Sequence, residues 1–264
     1  MPNSLVFVGP RGGYRGLDQH LVVPLLQQGH RIIEVNLDST STDTPIELPG
    51  LVDLVAQAVD QATQHPTNDN KKSQVLPAVV GYSLGAQVVA LFAAEHPASI
   101  SSLTLIAGWF SPTAKMSALS HLWREWRKTQ CADSYEVSAL ALRATHLVLN
   151  SSTNWQGQID EVNVLQATLE TQLLMDLCLA ADVSSAIHRI VDPTLVIGCT
   201  YDEFASVQQS RLVFGAIQDS RYTEVNSGHL VCIERPAELA SLIDEFVSDP
   251  HQHPPGTQIS GYFP

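Results

Sequence analysis

Three side chains in this sequence are of the types and order that nucleophilic catalysis requires. Ser83 sits in Gly81-Tyr82-Ser83-Leu84-Gly85, a Gly-x-Ser-x-Gly segment. Apolar, β-branched residues (Val79, Val80) precede it and a helix-forming run from Gln87 to Glu95 follows. A serine at a sharp strand-to-helix turn is held with its hydroxyl exposed above the sheet edge, and a side chain two residues before or after it collides across the turn. Gly81 and Gly85 occupy those two places. The alternative reading is a glycine-containing turn with an incidental serine, so the motif needs partners. A serine hydroxyl becomes nucleophilic at neutral pH only when a neutral imidazole takes its proton. That imidazole needs an acceptor on its other nitrogen to fix its tautomer. Asp202 and His229 stand on loops after two late strands and are 27 residues apart, room for one helix and one strand between them. Glu203 competes with Asp202 as the acid, and a solvated surface charge is the alternative for either. Of ten histidines, His229 stands apart because a glycine precedes it on a loop that follows a strand.

Elements that can place these groups alternate along the chain. Leu5–Val8, Arg31–Leu37, Val75–Tyr82, Leu103–Ala107, Thr194–Gly198 and Arg221–Val225 read as strands. Helical spacing covers Leu17–Gln28, Pro49–Gln64, the segment after Ser83, Ser206–Phe214 and Ala237–Val247. Strand and helix in alternation predict an α/β fold with a doubly wound, mostly parallel sheet. The alternation stops between about 111 and 189, where the spacing is helical around Leu122–Arg127, Val137–Leu149 and Val162–Ala180. The expected organisation is a core of residues 1–110 and 190–248, an inserted helical cap over 111–189, and a tail over 249–264 that is extended or poorly ordered. His251 and His253 in that tail could hold a metal weakly, although a solvated tail explains them as well.

These segments resemble the α/β-hydrolase-fold superfamily of esterases, lipases and carbon–carbon hydrolases. The resemblance rests on Gly81–Gly85, on Pro193–Gly198 with Asp202, and on Ser227-Gly228-His229-Leu230 followed by Glu234-Arg235-Pro236. It extends over nearly the whole chain. It implies Ser83 as nucleophile, Asp202 as acid, His229 as base, and an acyl-enzyme reaction. One oxyanion donor is then the backbone N–H of Leu84, and the second comes from the loop after the first strand. That loop departs from the family's usual His-Gly and reads Val8-Gly9-Pro10-Arg11-Gly12-Gly13. One register puts Pro10, which has no N–H, in the donor place. The other puts Arg11 there, with Gly12 and Gly13 free to turn its amide toward the site. Arg11 is the expected donor. The loop usual after the next strand is replaced by Asn36-Leu37-Asp38-Ser39-Thr40, and two strands that often precede this sheet have no counterpart before Leu5.

Composition bounds the remaining classes. The 264 residues carry a net charge of −13 with 44% hydrophobic residues, which argues against nucleic acid or an anionic membrane surface as partner. Four scattered cysteines form no Cys-x-x-Cys pair, so neither a disulfide framework nor a zinc site is expected, and a cytoplasmic location fits free thiols. The run between Lys72 and Glu95 holds no charge. Pro77, Gly81, Ser83, Gly85 and Gln87 interrupt it, however, and a buried strand and helix explain it better than a membrane span. The stretch Leu5–Asp38 imitates a dinucleotide-binding unit. Its glycine spacing is imperfect, no Tyr-x-x-x-Lys pair occurs, and the serine elbow would be left unexplained. A binding protein that keeps the triad is the other alternative. The expectation is a serine hydrolase without cofactor or metal, acting on a small or medium, largely apolar acyl compound, with ester, thioester, lactone or carbon–carbon bonds all open. Tyr82, Trp109 and Trp123 are the expected lining of its pocket. Composition leaves the oligomeric state open.

Overall fold

A computed structural model of the chain describes residues 4–9, 17–37, 47–63, 75–129 and 169–260. Six parallel strands form one sheet in the order β2-β1-β3-β4-β5-β6. They are β1 (Ser4–Gly9), β2 (Arg31–Asn36), β3 (Ala78–Tyr82), β4 (Ser102–Ile106), β5 (Thr194–Cys199) and β6 (Ser220–Val225). Every residue of β3, β4 and β5 is buried. Central parallel strands are covered on both faces, so they read as continuous apolar runs rather than alternating ones.

From β1 the chain steps one way to β2 and then back past β1 to β3. Crossovers between parallel strands are right-handed, so reversing the step puts the connecting helices on opposite faces. Helix α1 (Leu17–Gln27) accordingly packs with α8 (Pro236–Ser248), and α2 (Leu48–Thr63) packs with α3 (Leu84–Glu95) on the other side. The crevice beyond the C-terminal ends of β1 and β3 lies at this reversal, which is where ligands bind in open α/β sheets. Ser83 follows β3 directly. The chain has the α/β, doubly wound architecture that the alternation predicts.

Between β4 and β5 the described residues include two helices, α4 (Ala114–Thr129) and α5 (Leu169–Ala180), which pack on each other. Arg124 reaches Asp176 at 2.8 Å across that contact. Both partners are well exposed, so the pair adds little. The expected helix over Val137–Leu149 lies outside the described residues. Helix α6 (Val207–Ala216) joins β5 to β6, and a single turn, α7 (Val231–Glu234), leads into α8.

The C-terminal segment decides between an extended and a poorly ordered tail. Residues 249–260 are neither free nor disordered, because they close the outer edge of β6. Tyr222 N–H donates to Thr257 C=O at 3.0 Å and Ile259 N–H to Tyr222 C=O at 2.7 Å. Arg221, almost fully buried, donates from Nε to His253 C=O at 2.7 Å. The backbone groups of an edge strand need partners, and this strap supplies them and blunts the edge.

Candidate active site

Backbone strain marks the turn at Ser83. Ser83 has φ 57° and ψ −122°, a region that non-glycine residues avoid. Such a conformation costs roughly 1–3 kcal/mol and persists only where the surroundings fix it. Two contacts fix it here. Ser83 N–H donates to Ile106 C=O on β4 at 2.9 Å, and Ala86 N–H closes back on Ser83 C=O at 3.0 Å. The flanking glycines are required by space. A Cβ on Gly85 would stand 2.0 Å from the Val8 carbonyl oxygen, and one on Gly81 would stand 2.4 Å from Val89 Cγ2 and 2.6 Å from Gly85 O. Backbone atoms cannot rotate away from such a contact, so any larger residue at 85 drives the elbow off the end of β1.

The structure brings Ser83, His229 and Asp202 into one line. Ser83 Oγ lies 2.8 Å from His229 Nε2, and His229 Nδ1 lies 2.7 Å from Asp202 Oδ2. All three side chains are buried. The other carboxylate oxygen of Asp202, Oδ1, accepts the backbone N–H groups of Phe204 and Ala205, each at 2.8 Å. The carboxylate is therefore fully engaged, with one oxygen facing the imidazole. Glu203, the rival acid, points away: it is more than half exposed and pairs with Lys115 at the start of α4. Its side chain belongs to the surface.

His229 is held by its backbone as well as its ring. Gly228 N–H donates to the Glu234 carboxylate at 3.1 Å, which explains the acid found five residues after the histidine. Tyr82 Oη donates to His229 C=O at 2.7 Å. The imidazole lies between two aromatic rings, Tyr82 at 5.7 Å and 32° and Phe204 at 4.9 Å and 65° between ring centres and planes. Beneath the site lies Cys199. Burial, and then the nearby Asp202 carboxylate, push its thiol well above the usual range, so it stays protonated and inert.

The expected pocket residues fare differently. Tyr82 is buried, and its hydroxyl is committed to the histidine loop. Trp109 is wholly buried. Its Nε1–H donates to Ala181 C=O at 2.9 Å, and its ring stands edge-on to Phe204 at 5.9 Å. Gln87, buried on α3, accepts Trp109 N–H at 3.2 Å and donates to Trp109 C=O at 2.6 Å. Trp109 is thus a packing residue at the root of the inserted helices, because an indole with its N–H satisfied inside is more stable there than against water. Trp123 lies on α4, and its side chain is outside what is described. Sequence reasoning missed Gln87 and Phe204; a buried glutamine on an otherwise apolar nucleophile helix is the signal that could have found the first.

Leu84 is the first residue of α3, so its N–H has no acceptor within the helix. Arg11, expected to give the second donor, lies outside the described residues, as do Pro10, Gly12 and Gly13. Among the described residues no group of three His, Cys, Asp or Glu side chains could hold a metal ion, and no helix is long and apolar enough to cross a membrane.

With the geometry in hand, comparison places the chain. A family model described as alpha/beta hydrolase fold matches residues 7–236, and the chain belongs to that family. It is 30% identical over 187 residues to a pyrrolizixenacetamide deacetylase of Xenorhabdus hominickii, a match covering 64% of each chain. It is 31% identical to monoacylglycerol lipase abhd6-A of Xenopus laevis over 64% of this chain and 54% of that one. These matches span less than two-thirds of the length of either relative. Among solved structures, an enol-lactonase from Burkholderia xenovorans LB400 superposes with a TM-score of 0.73 at 17% identity, covering 94% of this chain and 92% of that one. At that identity the likeness speaks for the fold.

Proposed function

We propose that the protein is a serine hydrolase that cleaves a small or medium, largely apolar acyl compound through an acyl-enzyme. The observation that carries this reading is the line Ser83 Oγ–His229 Nε2, His229 Nδ1–Asp202 Oδ2 at a strained elbow. In the first step Ser83 Oγ attacks the acyl carbon while its proton passes to His229 Nε2. Asp202 steadies the imidazolium through Nδ1–H without taking the proton. The oxyanion is received by Leu84 N–H and by a second donor from the loop after β1, for which Arg11 N–H is our candidate. His229 then protonates the leaving group, and the bond to the acyl carbon breaks. Water, deprotonated by the same nitrogen, attacks the acyl-serine; His229 Nε2 then returns the proton to Ser83 Oγ as its bond to the acyl carbon breaks, which releases the acid and restores the hydroxyl.

The relatives widen the bond class. One is named as a deacetylase of an acetamide and another as a monoacylglycerol lipase, so amide C–N bonds join the ester, thioester, lactone and carbon–carbon bonds that share this machinery. The substrate itself is a small molecule, taken without cofactor. A fluorophosphonate probe tests the reading. The native protein becomes labelled, and Ser83→Ala abolishes labelling while the melting temperature is kept. Labelling that survives in Ser83→Ala refutes Ser83 as the nucleophile.

A further inference from the structure

Tyr82 occupies the position before the proposed nucleophile, and its side chain is buried. It runs to the backbone of a residue 147 positions away, donating from Oη to His229 C=O at 2.7 Å inside the fold. We propose that Tyr82 is a positioning residue for the catalytic imidazole: its hydroxyl sets the placement of His229 relative to Ser83. The inference rests on the proposed reaction, in which His229 is the base.

The argument begins from how the histidine is carried. His229 follows β6, whereas Ser83 follows β3, and β4 and β5 lie between those strands. The base must therefore reach across the sheet edge on a loop, and a loop needs anchors to hold an imidazole nitrogen to within hydrogen-bond distance of Oγ. One anchor is local: Glu234, six residues after Gly228, accepts its N–H at 3.1 Å. That contact ties the loop to itself and carries no information about β3. The Tyr82 hydroxyl does, since it projects from the last residue of the strand that presents Ser83.

The ring contacts point the same way. Tyr82 lies against the imidazole at 5.7 Å between centres, and Phe204 stands edge-on to it at 4.9 Å. The residue before the nucleophile and the residue two after the acid thus confine the same ring. Phe204 also gives its backbone N–H to Asp202. Position along the imidazole plane is the degree of freedom that ring contacts leave open; the bond to Asp202 Oδ2 restrains it from the acid loop, and the bond from Tyr82 Oη to the His229 carbonyl restrains it relative to β3. Without that donor a buried carbonyl is left unpaired, and the peptide 229–230 gains by turning toward another partner. Turning it carries Nε2 off Oγ. A displacement approaching 1 Å costs about a hundredfold in rate.

Tyr82→Phe removes the hydroxyl alone. The expected result is a folded protein whose kcat on an activated ester falls by about tenfold to a hundredfold with KM unchanged. The proton on His229 Nδ1, short-bonded to Asp202, gives a proton magnetic resonance far downfield, and in Tyr82→Phe that line shifts or is lost to exchange. Replacing Tyr82 by 4-aminophenylalanine, which keeps an N–H donor in the same place, restores both readings. 4-Methylphenylalanine fills the volume of the hydroxyl without donating, and behaves as Tyr82→Phe even if the latter leaves a damaging void. A kcat within twofold of the native value, or a raised KM with kcat retained, overturns the proposal, since the second would mean that Tyr82 touches substrate. If the native protein neither turns over ester nor takes up the fluorophosphonate, the reading of Ser83 as nucleophile has failed instead. The downfield line then decides the positioning role by itself, and a line unchanged in Tyr82→Phe overturns it.

Discussion

Replacing Asp202 with asparagine tests the acid through its hydrogen bonds. The carboxylate serves two sets of donors: Oδ1 takes the N–H groups of Phe204 and Ala205, and Oδ2 takes His229 Nδ1–H. An asparagine amide offers one acceptor oxygen and one donating NH2. With the NH2 turned toward Phe204 and Ala205, two buried backbone donors lose their acceptor, at about 1–3 kcal/mol each. With the oxygen kept there, no backbone group is left unpaired, and the NH2 faces Nδ1. The second arrangement wins by two buried partners. It obliges Nδ1 to accept, which moves the imidazole proton to Nε2, and Nε2 can then no longer accept from Ser83 Oγ. The fold survives while the base is lost. A wrong tautomer of this kind lowers turnover by about 10⁴ in a well-studied triad, equivalent to about 5.4 kcal/mol.

The assay is kcat/KM on an activated ester, beside a melting curve for each variant. Glu203→Gln is the control, because its carboxylate is on the surface against Lys115; it stays within about twofold of the native rate, as an exposed ion pair is worth little. A loss of less than about tenfold in a folded Asp202→Asn refutes the tautomer argument. A loss in Glu203→Gln that matches Asp202→Asn refutes the choice of acid.

Two further outcomes follow from buried polar groups away from the reacting atoms. Gln87→Leu strips Trp109 of partners for both its N–H and its C=O; at about 1–3 kcal/mol per orphaned group and about 2–4 °C per kcal/mol in a chain of this size, the melting temperature falls by at least about 4 °C, and an unchanged melting curve refutes the clamp. Asp192 is buried and its Oδ2 has no partner, and burial raises its carboxyl above the ordinary value despite backbone N–H groups that oppose the shift. The folded chain therefore holds that proton to higher pH than the unfolded chain, so this group favours the fold on acidification and disfavours it once ionised. Asp192→Asn melts higher than the native protein at pH 7, and the difference shrinks as pH is lowered into the carboxylate range; a gap that is constant or widens with acid refutes the assignment.

What could be read from sequence divides along the distance over which each feature is determined. The strands and the elbow are local: apolar runs, flanking glycines and a helix start lie within about a dozen residues, and the observed β3 and α3 begin and end close to where spacing puts them. The order of Ser83, Asp202 and His229 was also legible, since each follows a strand that announces itself. Lining residues were not. Trp109 looks like pocket lining beside Phe110, and only the fold shows Gln87, 22 positions earlier, closing over its backbone. The tail's place was hidden for the same reason, because Pro250, Pro254 and Pro255 deny it a helix but say nothing of the open edge of β6 waiting for it. Composition records what a segment cannot form; it does not record which unpaired backbone it will meet.

Helix α3 supplies the last link between the chemistry and the inserted helices. Its N-terminus carries Ser83 and the Leu84 N–H, and Gln87 comes one turn later, which places it on the same side of the helix as the nucleophile. From there Gln87 holds Trp109 just after β4, and the Trp109 indole reaches Ala181 just after α5. Trp109 leads into the inserted segment and Ala181 leads out of it, so both stems are referred to the helix that positions the serine. Gln87, Trp109 and Ala181 thus tie both ends of the inserted segment to the helix that follows Ser83.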